Sequence, residues 1–293
     1  MTDDGAWAPG PPAPEPTPAS GWPAPSGPRV PSVVVYDGAP TTYVAALEAG
    51  RPLRVPRWGW GDVGLALLLS IVVPIVIVSA VLIAGLPRTG AVVLLLSLMT
   101  PWIGFGLYPI LATRSKGNGP VLDLGWTIRP VDLLWGLAGG AAAFVLGGVA
   151  AGITEHFTGP FDSAAGEAIS NADVGQWVRV AFAVCAVVGA PVFEELCFRG
   201  LVFASVAKWA AGAGLRRPVP WATVLAALLF ALIHLEPVRI PVLLTIGLVL
   251  AVLRARTGRV GASMVAHALN NSVAILSIFG VAVPGLVIPG LLG

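Results

Sequence analysis

Pro191-Val-Phe-Glu-Glu-Leu-Cys-Phe-Arg-Gly200 sets Glu194, Glu195 and Arg199 inside a run that is otherwise apolar. The run reads as membrane-embedded helix. A charged side chain at the centre of such a helix costs about 2.5–3.5 kcal/mol on insertion scales, so these residues are expected to face a bundle interior or a wet cavity. His234 and His267 lie in later apolar segments. The expectation is that these segments converge on one buried site.

Composition points the same way. The chain has 293 residues, 56% hydrophobic and 11% charged, and a mean hydropathy of +0.85. A soluble domain carries about 25% charged residues. The fold class is therefore all-α, a polytopic transmembrane helical bundle. A net charge of +2 gives no footprint for nucleic acid. Cys185 and Cys197 sit in apolar helix and form no disulfide framework or CxxC site. The opening Met1-Thr-Asp-Asp-Gly5 has no basic or apolar run, so no cleaved signal peptide is expected and the first membrane helix serves as its own anchor.

Working outward, residues 1–55 read as a disordered Pro/Ala/Gly-rich cytoplasmic tail, with prolines crowded into the first 31 residues and little apolar surface to offset chain entropy. Trp7 and Trp22 lie in it. Residues 56–129 hold two N-terminal membrane helices, about Val63–Leu86 and Ala91–Leu111. The core, 130–293, continues with Val131–Ile153, a long helix from about Trp177 through the Glu-Glu motif to Trp209, then Pro220–His234, Val238–Leu253 and Val260–Ser277. A last stretch, Phe279–Leu292, is broken by Pro284 and Pro289. About eight helices result, each judged against the roughly 20 apolar residues a span requires. Gly136-xxx-Gly140 and Gly148-xxx-Gly152 are assigned a packing role.

Loop charges orient the bundle. With the N-terminus cytoplasmic, the inner side carries thirteen of the seventeen basic residues. The outer side takes Arg88, Arg179 and Arg239, and its long loop is acidic, with Glu155, Asp162, Glu167 and Asp173.

Neighbours on a helix point about 100° apart, whereas residues four apart share a face. Glu194 and Glu195 therefore cannot work as a side-by-side dyad. Glu195 pairs with Arg199 at i,i+4, and Glu194 is left without a partner in its own helix, available as a general base. Phe230-Ala-Leu-Ile-His234 and His267-Ala-Leu-Asn-Asn271 add two imidazoles and a carboxamide. Each feature alone also fits a structural reading: a buried ion cluster, a snorkelling histidine, interhelical hydrogen bonds. Together they supply a base, a second group for water, and donors for an oxyanion. No serine or cysteine is placed as an evident nucleophile, Cys197 being the nearest.

Glu194-Glu195-xxx-Arg199, Phe230-xxx-His234 and His267-xxx-Asn271 resemble, in order and spacing, the three motifs of the CPBP intramembrane proteases. That family includes type II CAAX prenyl endopeptidases and bacteriocin-processing or self-immunity proteins. The resemblance covers roughly residues 130–280. It implies an intramembrane glutamic-type endopeptidase of the cell membrane, in which Glu194 and His234 activate water and His267 with Asn271 stabilise the oxyanion. Glu195, Arg199 and Phe230 support them. It implies no cofactor, and a peptide or membrane-protein substrate, with C-terminal tails of lipidated or membrane proteins as one class. Two alternatives stay open: a zinc protease with Glu194, His234 and His267 as ligands, and a catalytically silent scaffold or immunity protein. A solute transporter would need an inverted repeat, which the sequence lacks. In straight helices His234, about 14 residues into its segment, and His267, about 7 into its own, differ in depth.

Overall fold

The computed structural model describes residues 35–279. Every regular element among them is helical. The proline-rich segment with Trp7 and Trp22, and the last apolar stretch with Pro284 and Pro289, lie outside the described residues.

The first helix, α1 (Thr41–Glu48), falls inside the stretch expected to be disordered. Tyr43 and Ala46 are buried, and the Thr42 hydroxyl donates to the Val121 carbonyl at 2.8 Å. The ordered part of the chain thus begins before residue 55. This differs from the expected boundary because two aromatic rings, Tyr36 and Tyr43, give this segment apolar surface to bury.

Five helices are long and apolar enough to cross a membrane among the described residues: α2 (Trp60–Ile83), α3 (Ala91–Lys116), α4 (Pro130–Thr158), α6 (Gln176–Gly212) and the Pro237–Thr257 stretch, whose α-helical part is α8 (Ile240–Thr257). Between α4 and α6 lies the short α5 (Ala164–Ser170). Two further helices belong to the bundle among the described residues. α7 (Pro218–Ile233) has 16 residues, and α9 (Gly261–Ile278) is made less apolar by His267, Asn270 and Asn271. The exteriors are apolar: Ile83, Leu134, Phe157 and Trp177 are among the most exposed side chains. Such surface needs lipid around it. The protein is a multi-pass membrane protein.

Local chemistry sets the helix starts. The Asp62 carboxylate accepts the Gly59 amide at 3.0 Å, and Asp132 accepts the Arg129 amide at 2.8 Å. Each satisfies an amide the helix start leaves open. Asp132 also holds Arg259 at 2.6 Å, tying the start of α4 to the start of α9.

α4 packs against α8 and α9. A Cβ at Gly136 would strike Val265, and one at Gly140 would meet Leu269 and the Ala266 carbonyl. These two glycines let α9 approach closely, as expected. In the second pair Gly148 is buried and Gly152 faces open space.

Three π-helical turns interrupt the long helices: Ile103–Leu107 in α3, and Cys185–Gly189 and Leu196–Val202 on either side of the Glu-Glu pair in α6. Such turns change which face later residues present, and they are frequent at functional sites. The first follows Pro101. The second precedes Pro191, which has no N–H to give the preceding turn.

Candidate active site

Glu195 is fully buried, and its Oε1 accepts from Arg199 Nη1 at 2.8 Å and His267 Nδ1 at 3.0 Å. The other face of the guanidinium is also used. Arg199 Nη2 donates to the Gly247 carbonyl at 3.0 Å, and the group lies 4.5 Å over the Phe230 ring. Such partners offset part of the cost of burying the pair, while Glu195 Oε2 and Arg199 Nε have no hydrogen-bond partner among the described residues. The ion pair joins α6, α8 and α9, and Phe230 brings in α7.

Glu194 takes no part in that pairing. Its side chain lines a cavity of about 300 Å³, together with His234, His267, Asn270 and Asn271. Its Oε2 lies 3.8 Å from His267 Nε2. That is beyond hydrogen-bond length and within reach of one bridging group. The helix-face argument therefore separates the two glutamates in space as well as in sequence.

His234 is the C-cap of α7. Its Nδ1 meets the Phe230 carbonyl at 2.7 Å. A carbonyl only accepts, so Nδ1 carries the proton and a neutral ring offers Nε2 as acceptor. The chain turns sharply just after it, with Leu235 at φ 57°, a left-handed conformation that costs a branched residue about 1–2 kcal/mol. At 1.5 Å per residue α7 is about 24 Å long, short of the roughly 30 Å hydrocarbon layer. The helix end, and His234 with it, can thus sit within the bilayer's depth.

His234 and His267, expected at different depths in straight helices, line one cavity with Phe230 between them. The Phe230 ring lies 4.8 Å from His234 and 5.7 Å from His267, edge-on to each.

Asn271 Nδ2 donates to the Ala186 carbonyl at 2.9 Å. Ala186 belongs to the π turn five residues before Pro191, so its carbonyl lacks the amide that would otherwise close that turn. The asparagine fills the gap and retains a second N–H. His267, held by Glu195 at Nδ1, donates from Nε2 only when it carries both protons.

Some of the cavity wall was not read from the sequence. Asn270 lines it beside Asn271, and Ser97, Pro101, Trp102 and Phe105 enter from α3, a helix outside the motif-bearing region. Trp102 stacks on Phe193 at 4.8 Å. The polar pair Asn270-Asn271 was a visible signal; the α3 wall was not, because no motif marks it. Among the described residues no three His, Cys, Asp or Glu side chains are grouped to hold a metal ion.

The fold and cavity define a helical membrane protein with a carboxylate, two imidazoles and a carboxamide gathered inside the bundle. Residues 176–273, about a third of the chain, match the model of the family described as Type II CAAX prenyl endopeptidase Rce1-like. The matched stretch runs from the first turn of α6 into α9, includes Glu194, His234, His267 and Asn271, and agrees with the CPBP intramembrane protease resemblance. No curated protein and no solved structure matches the chain. The family match and the apolar helices support a membrane-embedded endopeptidase.

Proposed function

We propose that the protein hydrolyses a peptide bond within the cavity using a water activated by Glu194. The observation that carries this reading is the 3.8 Å separation of Glu194 Oε2 from His267 Nε2 beside the cavity. Glu194 is left unpaired by the Glu195–Arg199 bridge, and His234 offers a ring nitrogen to the same space.

In the proposed step Glu194 takes one proton from water as the water oxygen bonds to the substrate carbonyl carbon. The carbonyl oxygen becomes an oxyanion, met by the free N–H of Asn271 and by His267 Nε2 when that ring is doubly protonated. His234 Nε2 accepts a hydrogen bond from the water's other O–H and fixes its direction of attack. The C–N bond then breaks, and the proton held by Glu194 passes to the leaving amine. Glu195, Arg199 and Phe230 act at one remove by holding His267 and spacing the two imidazoles. The substrate is a peptide segment of a membrane or membrane-associated protein.

Direct attack by water leaves no acyl-enzyme. Hydroxylamine added during turnover should therefore leave the carboxylic acid as the sole new C-terminus; formation of a hydroxamate would point to a covalent intermediate and overturn this mechanism.

A further inference from the structure

We propose that the cavity opens on the non-cytoplasmic face of the membrane, so that the peptide reaching Glu194 is an extracytoplasmic segment. The substrate half of this statement rests on the protease reading above; the orientation half does not.

The two ends of the bundle can be told apart by the contacts among their connections. At one end the segment before α2 meets the α3–α4 connection, with the Arg57 amide on the Lys116 carbonyl at 2.8 Å and the Arg54 amide on Asn118 Oδ1 at 2.7 Å. Lys208, near the end of α6, donates to the Pro56 carbonyl at 3.2 Å. The α8–α9 connection joins this end through Arg259 on Asp132 and the Val260 amide on the Gly125 carbonyl. At the other end the Asp173 amide reaches the Thr89 carbonyl, and the Ala164 amide donates to Glu236 Oε2 at 3.2 Å.

Basic residues divide unequally between these ends. Among the described residues twelve arginines and lysines lie at the first end, against Arg88, Arg179 and Arg239 at the second, with Arg199 inside. Lys and Arg near helix ends are retained on the cytoplasmic side. The second end is therefore the non-cytoplasmic one.

The cavity belongs to that second end. Ser163 and Gly166 from the α4–α6 connection and Glu236 and Arg239 from the α7–α8 connection line its mouth. On α6 the lining residues are Phe182, Ala186, Ala190 and Glu194, all in the helix's first half. Beyond Glu194 the way is shut: Leu196, Cys197, Phe198, Leu201 and Val202 are fully buried. A peptide has an aqueous approach from the second end and a packed core on the other side.

The test is substituted-cysteine labelling of the full chain in intact cells with a membrane-impermeant maleimide. Ala165, exposed at the mouth, and Ala213, exposed beyond α6 at the basic end, are each replaced by cysteine. The unaltered chain reports the background from Cys185 and Cys197. Ala165→Cys is expected to label in intact cells, and Ala213→Cys only after the membrane is opened. The reverse pattern, equal labelling of both in intact cells, or protection of Ala165→Cys until the membrane is opened would overturn the proposal. Labelling needs no turnover, so a failed orientation is distinguishable from a failed catalytic reading. The latter shows instead as undiminished cleavage by Glu194→Gln.

Discussion

Glu195 and His267 are joined at 3.0 Å through Oε1 and Nδ1, with Arg199 on the same carboxylate oxygen. The contact fixes the histidine's orientation from a fully buried base and turns Nε2 toward Glu194 at 3.8 Å. Adjacent glutamates thus divide the work, one holding the site and the other facing the cavity.

If Glu194 is the base, Glu194→Gln should lower peptide cleavage by at least about 100-fold. Its thermal midpoint in detergent should stay near that of the parent, because Glu194 stands outside the buried ion pair. A large loss of stability alongside the loss of activity would recast Glu194 as structural.

Removing Arg199 should act on the fold. Arg199→Met leaves Glu195 charged and buried without its cation, a loss of about 3–5 kcal/mol. The double variant Glu195→Gln/Arg199→Met should recover part of it, as read by denaturant unfolding in detergent. No shift in the single variant would show that the pair is not coupled to stability.

Asn271 serves two atoms. Asn271→Leu should cost about 0.6–2 kcal/mol through the uncapped Ala186 carbonyl, and a further 10²–10³-fold in turnover, on the order expected for one lost oxyanion donor. Unchanged kcat with lowered stability would restrict Asn271 to holding the π turn.

Gly106 tests the influence of α3. A Cβ there would strike the Phe193 ring, which is stacked on Trp102 and precedes Glu194 in the chain. A displacement of about 1 Å at a catalytic group can cost about 100-fold. Gly106→Ala should reduce kcat on that order, and Phe193→Leu in the same background should restore part of it. Full activity in Gly106→Ala would mean Phe193 yields without moving Glu194.

Much of this architecture was legible from charged and polar residues set into apolar runs. The Glu195–Arg199 pairing and the separate face of Glu194 follow from helical spacing, and both appear in the fold. The close seating of α9 against Gly136 and Gly140 follows from small-residue spacing. What stayed hidden depends on register and tertiary contact. The π turn that frees the Ala186 carbonyl leaves no periodic signature beyond Pro191. The wall from Trp102 and Phe105 is ordinary apolar sequence until α3 packs against α6. α1 lies beside a proline-rich stretch, and its docking depends on Tyr43 finding a cleft elsewhere in the chain.

The most direct measurement is cleavage of a quenched peptide library by the purified full chain and by Glu194→Gln in detergent, each with and without a strong chelator. The account predicts turnover that survives the chelator and disappears in the variant. Cleavage by Glu194→Gln at the parent's rate would contradict it, as would activity lost to the chelator and restored by zinc, which would make Glu194, His234 and His267 metal ligands.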